Sequence, residues 1–199
     1  MRMLFRTSAI AILACIALVP ARIILAQGPV PAADLQIAAA VLPAPVEMRD
    51  GATVLGYSPD GKLVTLRRGT NDMICLASDP KAPSFHVACY HRALEPFMAR
   101  GRELRAQGVQ GGAVDTTRFA EVKSGQLKVP SQAAMLYSLT GGSYDPTLET
   151  APGARHLYVT YIPFATAAST GLSAKPSGKT PWIMYPGTPK AHIMFMPGM

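Results

Sequence analysis

A chain of 199 residues, 49% of them apolar, is long enough for one domain with a sizeable core and short for two. Its formal charge of +7 includes Arg2, Arg6 and Arg22, which lie in the first 26 residues with no acidic neighbour, so the rest of the chain carries only +4. The densest basic cluster in that remainder, Arg100, Arg102 and Arg105, has Glu103 inside it and Glu95 just before it. That is the pattern of a solvated helix face and argues against a nucleic-acid partner.

The amino-terminal segment has the order of a secretory signal peptide. Arg2 and Arg6 precede an uncharged run over residues 9–19, Pro20 and Arg22 break that run, and the small residue Ala26 follows. The apolar run is too short to span a bilayer. Cleavage is expected after Ala26, with Ala21 as the second choice, leaving no stable transmembrane anchor and placing the protein in the periplasm or outside the cell. An uncleaved anchor would have to run through Pro20 and Arg22. A lipidated Cys15 would have a very short apolar core ahead of it.

Residues 27–50 read as an Ala/Pro-rich arm and residues 51–199 as the domain proper. In the arm, Asp34 is placed to cap a short helix with Leu35, Ala38, Val41 and Leu42 on one face, and Pro43 ends it. Two runs rich in β-branched and apolar residues, 53–57 and 63–68, flank Ser58-Pro59-Asp60-Gly61, a strong turn signal. Gly69-Thr70-Asn71-Asp72 supplies another turn before Met73-Ile74-Cys75-Leu76, which suggests a three-stranded meander.

Residues 85–107 read as helical, because Tyr90, Ala93, Leu94, Phe97, Gly101 and Leu104 recur at three- and four-residue steps. Pro96 makes this either one kinked helix or two, the second starting at Pro96 and stopping at Gly108. Residues 115–123 suggest another helix. Residues 133–139 and 156–162 alternate as strands, with Met135, Tyr137 and Leu139 on one face of the first and Leu157, Val159 and Tyr161 on one face of the second. Loops rich in Gly, Ser, Thr and Pro occupy 141–153 and 170–180. A small duplication closes the chain, residues 180–187 and then 188–198, each a short apolar run entered after Thr-Pro and closed by Pro-Gly. Edge positions suit both runs.

Cys15 would leave with the signal peptide, so Cys75 and Cys89 are the thiols of the exported chain and are expected to pair. The bridge would join the third strand to the start of the helix. A loop of its size is worth about 3 kcal/mol. The string Arg67-Arg68-Gly69-Thr70-Asn71-Asp72-Met73-Ile74-Cys75-Leu76, together with the block from Trp182 to Met194, resembles a group of exported bacterial proteins of no known activity. The likeness covers most of the mature chain. It implies export and a single domain, and brings no cofactor or catalytic residue.

Three constellations are weighed against ordinary structural roles. His86, Cys89 and His91 have metal-ligand spacing, but on one helix His86 and His91 would point roughly 140° apart, so a disulfide plus an exposed His–Glu pair is the simpler reading. His91 and Glu95, four residues apart, are the catalytic candidates, although a polar-face position leaves both solvated. His192, Met194 and Met196 alternate along the last strand and offer donors suited to Cu(I), with Met184 or Met135 as a further ligand. His192 and Met196 would sit about 13 Å apart, so no single ion takes all three, and methionines commonly just fill an irregular core.

The sequence therefore predicts an α+β fold, with a mainly antiparallel sheet, one or two packed helices and one disulfide. It favours a non-catalytic binding module for an unknown small molecule or protein, its surface formed by the 144–155 loop with the duplication over 180–196, and Tyr144, Tyr158, Trp182 and Tyr185 as contact residues. A periplasmic copper-binding protein and a small hydrolase are the alternatives. No cofactor is specified.

Overall fold

The computed structural model describes residues 29–177 and 180–197. The expected signal peptide, residues 1–26, lies outside the described residues. The elements in chain order are α1 (Ala33–Ala40), α2 (Val46–Arg49), β1 (Thr53–Tyr57), β2 (Leu63–Arg67), β3 (Met73–Leu76), β4 (His86–His91), a 3-10 turn (Arg92–Leu94), α3 (Glu95–Ala106), α4 (Gly112–Lys123), β5 (Ala134–Thr140), β6 (Arg155–Tyr161), α5 (Ala167–Thr170), β7 (Trp182–Met184) and β8 (His192–Phe195). The strands form one sheet in the order β2-β1-β3-β4-β5-β6-β8-β7, antiparallel at every junction except β1–β3. The fold is α+β. Among the described residues no helix is long and apolar enough to cross a membrane.

Ser58-Pro59-Asp60-Gly61 closes the β1–β2 hairpin as its composition predicts: Gly61 takes a φ of 76° and donates its N–H to Ser58 O at 2.7 Å. The meander, however, is not formed. After β2 the chain crosses the start of β1, and β3 pairs with β1 in parallel. Thr70 and Asn71 donate their N–H groups to Gly51 O at 2.8 and 3.0 Å, and a Cβ on Gly69 would sit 2.3 Å from the Thr53 nitrogen. Glycine is required there for this close crossing.

Residues 86–91 are a strand, correcting the expected helix. Both edges of β4 are hydrogen-bonded, to β3 and to β5, which satisfies its backbone as fully as a helix would. The three- and four-residue period belongs to α3, which begins at Glu95 with Pro96 in its first turn and ends before Gly108 (φ 87°). The disulfide Cys75–Cys89 accordingly joins directly opposed residues of two adjacent strands, and not a strand to a helix.

Helix α1 is rotated from its expected phase. Leu35 is exposed while Gln36, Ala39 and Ala40 are buried, and Asp34 sits in the first turn without capping it. The Gln36 amide explains the rotation. Its Nε2 donates to Pro31 O at 2.7 Å and Tyr57 O at 2.8 Å, and its Oε1 accepts from Tyr57 N–H at 2.8 Å. A polar side chain that completes the backbone pairing of β1 outweighs the burial of one leucine.

Register divides the core into two rows. On one face Val54, Cys75, Cys89, Tyr137, Tyr158 and Phe195 are successive cross-strand partners; on the other, Ile74, Tyr90, Leu136, Val159, Met194 and Trp182 are. The first row begins beneath α1, where Ala40, Val41, Val54, Cys75 and Cys89 form one buried cluster. The second lies beneath the 3-10 turn and α3, which contribute Leu94 and Met98. The carboxy-terminal duplication folds as the β7–β8 hairpin. Of these two strands β7 alone lies at an edge, since β8 inserts between β6 and β7 and has a partner on each side.

Candidate functional site

Helix α1 covers only part of its face of the sheet. Its principal contacts are with β1, β2 and β4, so the row that starts at the disulfide emerges from beneath it at β5. Tyr137, Tyr158 and Phe195 continue the row half-buried, with Tyr137 and Tyr158 edge-to-face at 5.6 Å and His156 edge-on to Tyr158 at 6.1 Å. Burial pushes the Tyr137 phenol above its ordinary value, with the Tyr158 phenol and the Glu47 carboxylate acting in the same direction.

Beside this row lies a groove of about 480 Å³. Its floor is Met135, Tyr158, Thr160 and Phe195, and its rim includes Thr180, Pro181, Met196 and Pro197. The floor strands β5, β6 and β8 are all interior, and within them Tyr158 pairs with Tyr137 and Phe195 while Thr160 pairs with Met135 and Ile193. Thr160 Oγ1 donates to Met135 Sδ at 2.9 Å, and Thr180 Oγ1 donates to Ser177 Oγ at 3.1 Å. The Tyr158 hydroxyl makes no hydrogen bond to a described residue. No described lining residue is charged. This is the kind of concave, largely apolar surface that small-molecule sites use, in the size range typical of them.

The four predicted contact residues do not converge. Tyr158 lies in the groove floor. Tyr144 lines a separate cleft of about 540 Å³ between α1, the β3–β4 loop and the β5–β6 loop. Trp182 and Tyr185 belong to the other side of the sheet: Trp182 is 5% exposed in the row with Val159 and Met194, and its Nε1 has no partner among the described residues. Tyr185, at a φ of 52°, holds its ring over Lys190 Nζ at 4.2 Å and beside the His192 ring at 5.7 Å.

The predicted metal donors are also dispersed. His192 is buried between the rings of Tyr161 and Tyr185, and its Nδ1–H donates to Lys190 O at 2.6 Å. Met194 packs in the second core row. Strand β8 ends at Phe195, so Met196 leaves the alternation and lies on the groove rim. Burial holds the His192 imidazole below its ordinary pKa; Lys190 adds to the effect, while the hydrogen bond to Lys190 O and the Asp115 carboxylate oppose it. Among the described residues no group of three or more His, Cys, Asp or Glu could hold a metal ion.

His91 and Glu95 do not form the expected helical pair. His91 ends β4 and its Nδ1 accepts the Ala93 N–H at 3.1 Å. The Glu95 carboxylate instead accepts from the Tyr90 hydroxyl at 2.5 Å and from Arg102 at 2.6 Å, tying β4 to α3. His86, at the opposite end of the same strand, bonds Thr140 Oγ1 through Nδ1 at 2.8 Å.

Sequence reasoning missed Thr160 and Pro197 as groove residues and reached Pro181 and Phe195 only as members of the 180–196 segment. The signal for Thr160 was present, because His156, Tyr158 and Thr160 alternate with the buried face of β6. Nothing local indicates that β8 would lie beside β6 and bring Phe195 next to Tyr158. Nor does anything local foretell the contact between Asp115 and Lys190.

Fold and groove together define an α+β protein with one mixed sheet, half-covered on one face. No protein-family model, curated protein or solved structure matches the chain.

Proposed function

We propose that this is an exported, non-catalytic binding module whose ligand occupies the uncovered part of the sheet face, against Met135, Tyr158, Thr160 and Phe195. The observation that carries the reading is the continuous row from the buried Cys75–Cys89 disulfide to Tyr137, Tyr158 and Phe195, which passes from covered core to open groove without a change of strand register. The disulfide sets a rigid base for that row. Side chains fixed by a sheet present a preformed surface, which lowers the ordering cost of binding. Export is supported by the order of the first 26 residues and by a cysteine pair of the kind that oxidising compartments maintain. The copper and hydrolase readings have less in their favour, because Met196 leaves the alternation of β8 and the Glu95 carboxylate bonds Tyr90 and Arg102 in place of His91.

Methyl spectra of methionine-labelled protein test the reading. Small-molecule and protein fractions of the native envelope are titrated in, and the Met135 and Met196 methyls should shift while those of Met73 and Met48 do not. Shifts confined to other methionines would displace the site. Turnover of a component of the extract would replace the reading with an enzymatic one.

A further inference from the structure

We infer that the groove takes an uncharged, largely aromatic small molecule with a single hydrogen-bonding group, and this rests on the binding reading above. Three features of the lining select that chemistry. None of the described lining residues is charged, so against Met135, Phe195, Pro181 and Pro197 an ionic ligand would lose its hydration with no counter-charge from a described residue in return. Tyr158, Thr160 and Phe195 are already paired within the sheet, so an extended peptide lying on them would leave its own amides without backbone partners there, each of which is costly to bury unpaired. The polar groups of the floor are few: the Thr160 hydroxyl donates its proton to Met135 Sδ and keeps only acceptor capacity, while the Tyr158 hydroxyl, with no hydrogen bond to a described residue, can donate as well as accept.

The apolar part of the lining favours flat rings over a flexible chain. Thioethers at Met135 and Met196 make favourable contacts with aromatic rings, and Tyr158 and Phe195 add aromatic surface. A volume of about 480 Å³ suits a molecule of two or three fused or linked rings.

The probes are Prodan, an uncharged naphthyl ketone; anilinonaphthalene sulfonate, of similar size but anionic; and an end-capped apolar heptapeptide. Each is titrated into the disulfide-intact mature protein. Prodan should saturate at one site and bind at least tenfold more tightly than the sulfonate. Met196→Glu, at an exposed rim position, should weaken it at least tenfold. Tyr158→Phe should weaken it about three- to tenfold, the value of one hydrogen bond. Met48→Ser, which removes an exposed methionine elsewhere, should change nothing. Thr180→Glu is the second rim variant should Met196→Glu fail to fold. Equal or tighter sulfonate binding, or preference for the heptapeptide, at a site that the rim variants still disrupt would overturn the ligand class and leave the binding module standing. Absence of saturation by every probe, or indifference of all of them to the rim variants, would overturn both.

Discussion

Lys190 Nζ lies 2.8 Å from Asp115 Oδ2 and thereby fastens the turn between β7 and β8 to helix α4, across 75 residues of sequence. Asp115 serves two cations, since its Oδ1 also accepts from Arg118, whose guanidinium lies 3.9 Å from the Phe97 ring centroid and is almost wholly buried. The two partners are therefore unequal. Lys190→Ala leaves Asp115 paired with Arg118 and should cost about 1 kcal/mol. Asp115→Ala strands a buried guanidinium and should cost about 3 kcal/mol or more. Urea unfolding of the two variants checks the ranking, and equal losses would sink it.

The same cluster makes the protein acid-sensitive in two windows. Burial holds His192 below its ordinary value, so the unfolded chain takes up the proton first. Stability is then complete above an unfolded pKa of about 6.5 and falls as the pH drops from there toward the folded value. His86 is lowered by burial as well and adds to this window. Asp115 is held low by its hydrogen bonds to Lys190 and Arg118, against the opposing effect of burial, so its contribution persists to lower pH and is lost below about 4. Melting temperatures measured from pH 7 to 3 should show both declines. His192→Gln should flatten the upper one and spare the lower.

Replacing Cys75 and Cys89 together by alanine should destabilise by about 3 kcal/mol, from the loop entropy returned to the unfolded chain. For a domain of this size that is a fall in Tm of roughly 6 to 12 °C by calorimetry. Both sulfurs are fully buried, and Cys89 Sγ lies 3.2 Å from Ala40 O beneath α1. Alkylation of the chain lacking residues 1–26, without reductant and in denaturant, should label no thiol.

Trp182, the only tryptophan, should fluoresce at short wavelength and resist acrylamide. Its Nε1–H is buried without a partner among the described residues, so Trp182→Phe removes an unsatisfied donor along with ring volume and should cost less than about 1.5 kcal/mol. A ligand in the groove should leave its emission unchanged, because Trp182 lies in the row on the opposite face.

The sequence by itself determined what short-range chemistry can decide. The turn at Ser58-Pro59-Asp60-Gly61, the alternation of β5 and β6, the start of a helix near Pro96 and its stop at Gly108, and the pairing of the available cysteines each follow from dihedral preference, side-chain period or thiol count within a few residues. Where local signals competed, tertiary structure decided. Residues 86–91 carry part of a helical period, yet become a strand because β3 and β5 offer hydrogen bonds on both sides. Gln36 turns inward against the apolar stripe of its helix because the backbone of Tyr57 is there to receive it. The groove belongs wholly to this second class. It exists because β8 inserts beside β6 and because α1 stops short of β5, and neither event has a cause within reach of the residues that line it.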